Sequence, residues 1–201
     1  MPSTTLLAGR GVNSGTTANW TNPGNITAKD NTYAAVSLTY GSATTSVSVY
    51  LRADQFGFSI PSTATIDGIV CTVQRYASSA STIRDYAVQL LKNGSVPSGS
   101  DDKKDTGTYW STSEGDVSYG SPSDLWNATW SPSDINNTGT GFAVRCEYVP
   151  AYGGASAYID SMEMTVYYTV DGIKFGTTSV AKAYYGSTEI KAVYYGTTQI
   201  F

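Results

Sequence analysis

Runs of β-branched and aromatic residues alternate with polar ones at period two over residues 1–170, each run bounded by Gly, Ser, Asn or Pro clusters. Alternation of this kind puts apolar side chains on one face of an extended chain and polar ones on the other, so it demands half-buried antiparallel sheet. The clearest runs are 34–40, 46–52, 65–76, 85–92, 141–149 and 158–170. In the third, Ile69, Cys71 and Val73 share one face, with Asp67 and Arg75 at its ends. In the fourth, Tyr86, Val88 and Leu90 share a face. In the fifth, Phe142, Val144, Cys146 and Tyr148 oppose Arg145 and Glu147, and Met162, Met164, Val166 and Tyr168 continue the pattern in the last. No stretch has the spacing of an amphipathic helix. The expected fold is therefore all-β, an antiparallel β-sandwich of jelly-roll type over residues 1–170. Two helical turns interrupt it, at Ser121-Pro122-Ser123-Asp124 and Ser131-Pro132-Ser133-Asp134, each with Ser at an N-cap, Pro at the first helical position and Asp in the first turn. The polar segment 92–107 reads as a long exposed loop.

From residue 171 a ten-residue period takes over. Phe175-Gly176-Thr177-Thr178-Ser179-Val180 is followed by Tyr185-Gly186-Ser187-Thr188-Glu189-Ile190 and then by Tyr195-Gly196-Thr197-Thr198-Gln199-Ile200. Each Gly-Thr or Gly-Ser is a turn signal between an aromatic strand end and the next strand start. A unit of ten residues cannot bury its own apolar face, so residues 171–201 form a β-hairpin repeat that must pack on something else. Phe175, Tyr184, Tyr185, Tyr194, Tyr195 and Phe201 are the candidate contact residues.

Chemistry is conspicuous by what is missing. The chain has no His, which removes the commonest general base, the Ser-His and Cys-His nucleophile systems and His-containing zinc sites. No phosphate-cradling glycine motif is present. Paired acids suited to glycoside hydrolysis would have to come from Asp101, Asp102, Asp105, Glu114, Asp116, Asp160 or Glu163, and nothing in the sequence fixes any two of them across a cleft. They read as solvated loop charges, with a structural Ca²⁺ in the 100–105 loop as the one cofactor that the pattern admits. The chain is otherwise expected to carry no cofactor and to be no enzyme. Cys71 and Cys146 both fall on inward faces, as two reduced buried thiols or as an inter-sheet disulfide. Only 14% of residues are Asp, Glu, Lys or Arg and the net charge is -4, which leaves no basic footprint for nucleic acid. No apolar run approaches the roughly 18 residues of a membrane helix, and the first ten residues lack the basic and apolar regions of a secretory signal. Trp20, Trp110, Trp126 and Trp130, with the sixteen tyrosines, offer stacking platforms for sugar rings, while the tryptophans serve equally as core plugs.

The segment from Trp20 to Tyr168 resembles a β-sandwich module of tailed-bacteriophage virion proteins. The resemblance rests on Trp20-Thr21-Asn22-Pro23-Gly24-Asn25 with Tyr33-Ala34, on Phe56-Gly57-Phe58-Ser59-Ile60-Pro61 followed by Ala64-Thr65-Ile66-Asp67-Gly68-Ile69, on Ile83-Arg84-Asp85, and on Leu125-Trp126 with Trp130-Ser131-Pro132-Ser133-Asp134-Ile135-Asn136. The terminal repeat likewise looks like the short tandem repeats that end many phage tail and fibre proteins. This resemblance implies a structural component on the particle surface, assembled in the host cytoplasm: a capsid decoration protein, a head fibre or a tail-associated protein. Its implied partners are other virion proteins, further copies of itself (a trimer above all) and host surface glycan. A free carbohydrate-binding module is the alternative reading.

Overall fold

A computed structural model describes residues 2–41 and 43–170 and, further on, 174–175, 178–179, 183–185, 188–190, 194–195 and 198–199. For residues 43–44 and for the C-terminal strands other than 189–190 it describes backbone alone. The alternating runs become two antiparallel sheets packed face to face, as their one-sided apolar patterning requires. In chain order the strands are β1 (Ser3–Leu7), β2 (Arg10–Ser14), β3 (Ala34–Thr39), β4 (Tyr50–Asp54), β5 (Ala64–Ala77), β6 (Ile83–Leu91), β7 (Gly115–Ser121), β8 (Gly141–Tyr148) and β9 (Gly154–Val170). Short helical turns α1 (Ala43–Ser46) and α2 (Pro132–Ile135) and a 3-10 turn at Pro23–Ile26 lie between them.

The 17-residue β9 organises the first sheet. One of its edges pairs with β5, and β5 in turn pairs with β7. Its other edge is shared end to end, β3 taking the half from Gly154 to Ile159 and β1 the half from Glu163 to Tyr167. The second sheet runs β2-β4-β8-β6. Between the sheets Ile69, Cys71, Val73, Met162, Met164 and Val166 join Leu51, Val88, Leu90, Phe142, Val144 and Cys146 in one buried core.

Several local expectations are corrected. The run expected at 46–52 is extended only from Tyr50, because α1 takes Ser46 and residues 47–48 make isolated bridges. In the third strand Arg75 stays on the inward face, as its place in the run has it, and is buried inside the sandwich, whereas a bulge at Asp67 turns that carboxylate off the face and puts Ile66 inward in its place. In β6 a bulge between Asp85 and Ala87 breaks the period-two face: Tyr86 is turned to the surface while Asp85 points inward with Val88 and Leu90. Ser131 begins α2 with a capping box, its hydroxyl accepting from the Asp134 N–H. The matching Ser121-Pro122-Ser123-Asp124 forms only a turn. There Ser121 still belongs to β7, and the Asp124 carboxylate turns forward to cap the Trp126 N–H.

The 92–107 segment is no free loop. Lys103 donates its N–H to the Val88 carbonyl, Asp102 accepts from the Val88 N–H, and Trp110 donates its N–H to the Ile83 carbonyl, so the edge of β6 is covered from both ends. Cys71 and Cys146 are free buried thiols, and the inter-sheet disulfide is not formed.

The C-terminal period folds as three hairpins: β10 (Lys174–Phe175) with β11 (Thr178–Ser179), β12 (Ala183–Tyr185) with β13 (Thr188–Ile190), and β14 (Tyr194–Tyr195) with β15 (Thr198–Gln199). In each, the aromatic residue before the Gly pairs with the Thr two places beyond it. The side chains of Phe175, Tyr184, Tyr185, Tyr194 and Tyr195, and the whole of Phe201, lie outside the described residues.

Candidate functional site

A charge in an apolar core has to be paired and hydrogen-bonded, and the Arg75–Asp85 pair meets that demand across the two sheets. Arg75 comes from β5 and Asp85 from β6, and their side chains form a buried ion pair. Asp85 also accepts from Trp110 Nε1 at 2.8 Å, from the Tyr119 hydroxyl at 2.9 Å and from the Asp105 N–H at 3.1 Å. The guanidinium lies 4.2 Å from the Trp110 ring centroid and 5.5 Å from that of Tyr119, a cation–π arrangement that holds its plane. Burial pushes the Tyr119 hydroxyl's pKa far up, which Arg75 only partly opposes. Arg75 Nε nevertheless has no hydrogen-bond partner.

Beside this strut the connection from β6 to β7 and the start of β7 line an open cleft of about 360 Å³. Arg75, Asp105, Tyr109, Trp110, Glu114 and Asp116 are among the residues lining it. Tyr109 stands at the cleft 39% exposed, while Trp110 is buried. Glu114 is half-buried; its Oε2 accepts from the Tyr33 hydroxyl at 3.4 Å, and its Oε1 is buried without a partner. Asp116 is committed to Lys29 at 3.0 Å, and Asp105 to the N–H groups of Gly107 and Thr108. Next to Glu114 three tyrosines cluster on the outer face of the first sheet. Tyr76 and Tyr158 are partners in the β5–β9 register and stack at 4.6 Å, with Tyr33 edge-on to both at 5.3 and 6.0 Å. Burial, with Glu114 nearby, raises the pKa of Tyr33; burial, then Tyr158 and Glu114, raises that of Tyr76.

The residues singled out from sequence fall elsewhere or into supporting roles. All four tryptophans are buried, and each indole N–H is spent internally: Trp20 on the Val49 carbonyl, Trp110 on Asp85, Trp126 on the Ile69 carbonyl and Trp130 on the Leu125 carbonyl. None presents a free face, which overturns the stacking-platform reading for tryptophan. In the 100–105 loop Asp101 pairs with Lys103 at 2.8 Å and Asp102 with Lys104 at 3.4 Å, so the loop is stapled by its own lysines. Asp160, the bulged residue of β9, is buried and accepts from the N–H groups of Thr32 and Asp30. Among the described residues no three acidic or Cys side chains converge as metal ligands. The sequence marked Tyr33, Tyr76, Tyr109 and Tyr158 only as members of its sixteen tyrosines. Only the strand register brings 76 beside 158, and tyrosines are so frequent here that no single one stands out.

No family model matches the chain, and no curated protein matches it. Among solved structures the chain is similar to the native structure of a family 35 carbohydrate binding module from Clostridium thermocellum. Identity is 15% and the TM-score 0.32, over 82% of this chain and 98% of that one.

Proposed function

We propose that the protein is a non-enzymatic structural component of a tailed-phage particle, displayed on its surface as a capsid decoration, head fibre or tail-associated protein. Its sandwich is a rigid body, and its terminal repeat is the attachment and oligomerisation element. The observation that carries this reading is the folding of the ten-residue period into three successive two-stranded hairpins. A lone two-stranded hairpin is marginally stable in water and has no core of its own. Three in series, each ending its first strand on an aromatic residue, are suited to bury those aromatics against neighbouring chains, and a trimer is one closed symmetry that such an element can form. The low charge density leaves a Ser, Thr, Asn and Tyr surface suited to life on a particle.

Deleting residues 172–201 separates body from attachment element. The truncated chain is expected to keep the cooperative unfolding of the sandwich and to run as a monomer in light scattering, while the full chain runs as an oligomer and decorates purified particles under gold-labelled antibody. A truncated chain that still oligomerises and still decorates particles would remove the tail from this role.

A further inference from the structure

Of the arginines and lysines whose side chains are described, Arg145 alone has no carboxylate within ion-pair distance. The others are all paired, from Arg10 with Asp54 to Lys104 with Asp102. In a chain of net charge -4, where acids outnumber bases, a cation left over is the exception. Arg145 is also held in place. It is half-buried on the outer face of the second sheet, between the inward-facing Val144 and Cys146 of β8, and its Nε donates to the Ser48 carbonyl at 2.8 Å. Its guanidinium carbon lies 4.9 Å from the ring centroid of Tyr50 and 4.8 Å from that of Tyr86, so rings from β4 and β6, the strands on either side, hold it. Tyr86 is there only because the bulge between Asp85 and Ala87 turns it outward. Nη2 has one long contact, 3.5 Å to Thr17 Oγ1. Nη1 has no hydrogen bond and is not enclosed, since the buried side-chain atoms without partners among the described residues are Arg52 Nε, Arg75 Nε and Glu114 Oε1. What stays open is therefore the Nη1–Nη2 fork, the part of a guanidinium that receives a carboxylate through two parallel hydrogen bonds.

Charge complementarity sets what the fork takes. The acids beside it are already neutralised, Glu147 by Arg84 at 2.7 Å and Asp102 by Lys104 at 3.4 Å, so the charge of Arg145 is left uncompensated. A neutral hydroxyl would leave it so, and a phosphate dianion would bring more charge than one guanidinium offsets. A single carboxylate matches it in both charge and shape. Tyr50, Arg145 and Tyr86 stand on three adjacent strands across an open sheet face, a surface that a second protein can lie against, and Arg and Tyr are the side chains that most often anchor such contacts. We infer that this row docks a partner protein through one exposed Asp or Glu side chain, whose carboxylate sits on the Arg145 fork while its stem packs against Tyr86, 40% exposed. The inference rests on the particle reading only in taking a protein, rather than an acidic glycan, as the source of the carboxylate. The row itself belongs entirely to the sandwich.

The test follows the Arg145 Nε–H resonance of the full chain, with isotope-labelled arginine, during titration with two end-blocked peptides, Gly-Ser-Glu-Ser-Gly and Gly-Ser-Gln-Ser-Gly, and with methyl glucuronide and inorganic phosphate. The Glu peptide is expected to shift that resonance saturably, and the Gln peptide to bind at least tenfold more weakly. Variants are read by saturation transfer to the peptide. Arg145→Lys keeps the charge and loses the fork, Tyr86→Ala loses the exposed ring, and each should weaken the Glu peptide severalfold or more; Lys29→Gln, which removes a cation paired with Asp116 on the first sheet, should leave it unchanged. A folded protein whose Arg145 resonance does not respond to the Glu peptide overturns the inference, as do equal affinities for the Glu and Gln peptides or an affinity that survives both Arg145→Lys and Tyr86→Ala. Methyl glucuronide or phosphate bound in place of the peptide overturns it too, because the fork then serves a glycan or a free anion. Decoration of particles by the full chain is read separately, so a failure of this contact and a failure of the particle reading are told apart.

Discussion

At the scale of single residues the molecule is most exposed to change at Asp85. Four donors converge on one carboxylate: the Arg75 guanidinium, Trp110 Nε1, the Tyr119 hydroxyl and the Asp105 N–H. Removing one partner of a buried pair typically costs about 3–5 kcal/mol, but the two sides of this pair are not equivalent. Asp85→Ala strands a cation and three neutral donors. Arg75→Met leaves the carboxylate with three donors still in place. Asp85→Ala is therefore expected to be the more damaging, by on the order of 1–3 kcal/mol for each of the three neutral donors that it alone leaves stranded in the core. Combining the two should recover little, because Trp110, Tyr119 and Asp105 remain unsatisfied. Guanidinium denaturation of the three variants measures this directly, and equal losses from the two single changes would show that the strut is a simple ion pair.

At the scale of elements, legibility follows burial contrast. Strands β5, β8 and β9 are buried on the inner face and polar on the outer, so their alternation could be read within a residue or two, save that β9 begins at Gly154. Strands β1, β2 and β7 lie at sheet edges with mixed exposure along both faces, and their sequences give no clean period. The inward turn of Asp85 was equally illegible, because the bulge at Tyr86 resets the phase and a strict period-two reading carries Tyr86 inward in its place. The Ser-Pro-Ser-Asp strings look identical, and only the tertiary partners decide between them: Asp134 reaches back to Ser131, while Asp124 is drawn to Trp126 and Lys103. The cleft needed both the bulge and the register, so composition could name its residues only as scattered acids and tyrosines. Strand β7 shows how tightly an unread element is fixed. Gly120 has φ +84°, and a Cβ there would stand 2.3 Å from the Ile69 carbonyl oxygen and 2.6 Å from Trp126 Nε1. Gly120→Ala must move β7 away from β5 or displace the indole, and left-handed backbone adds about 1–2 kcal/mol for a residue with a Cβ. A loss of stability of at least that size, with altered tryptophan fluorescence, is expected; a variant as stable as the parent would mean that β7 is free to shift.

At the scale of the whole molecule, protonation ties the core to pH. Burial is the leading cause that raises the Cys146 thiol from 9.0 to about 12, and burial also raises Cys71 and Tyr119. Each of these groups holds its proton more tightly folded than unfolded, so the stability they contribute is complete below the ordinary thiol value of 9.0 and is lost as pH climbs from there toward the folded values. Asp134 works in the opposite sense. Burial opposes its charge, but Lys92 and Ser131 prevail and lower its pKa, so its contribution is present above the ordinary 3.8 and fades as pH falls below it. Because Cys71, Cys146 and Tyr119 share one core spanning both sheets, their alkaline effect should appear as a single cooperative transition moving to lower denaturant between pH 8 and 11. Replacing both thiols by Val keeps apolar bulk in the core and removes their part of that slope, leaving Tyr119 to account for the remainder. A transition midpoint unchanged between pH 8 and 11 would mean that the thiols and the tyrosine meet water in the folded state, contrary to a closed two-sheet core.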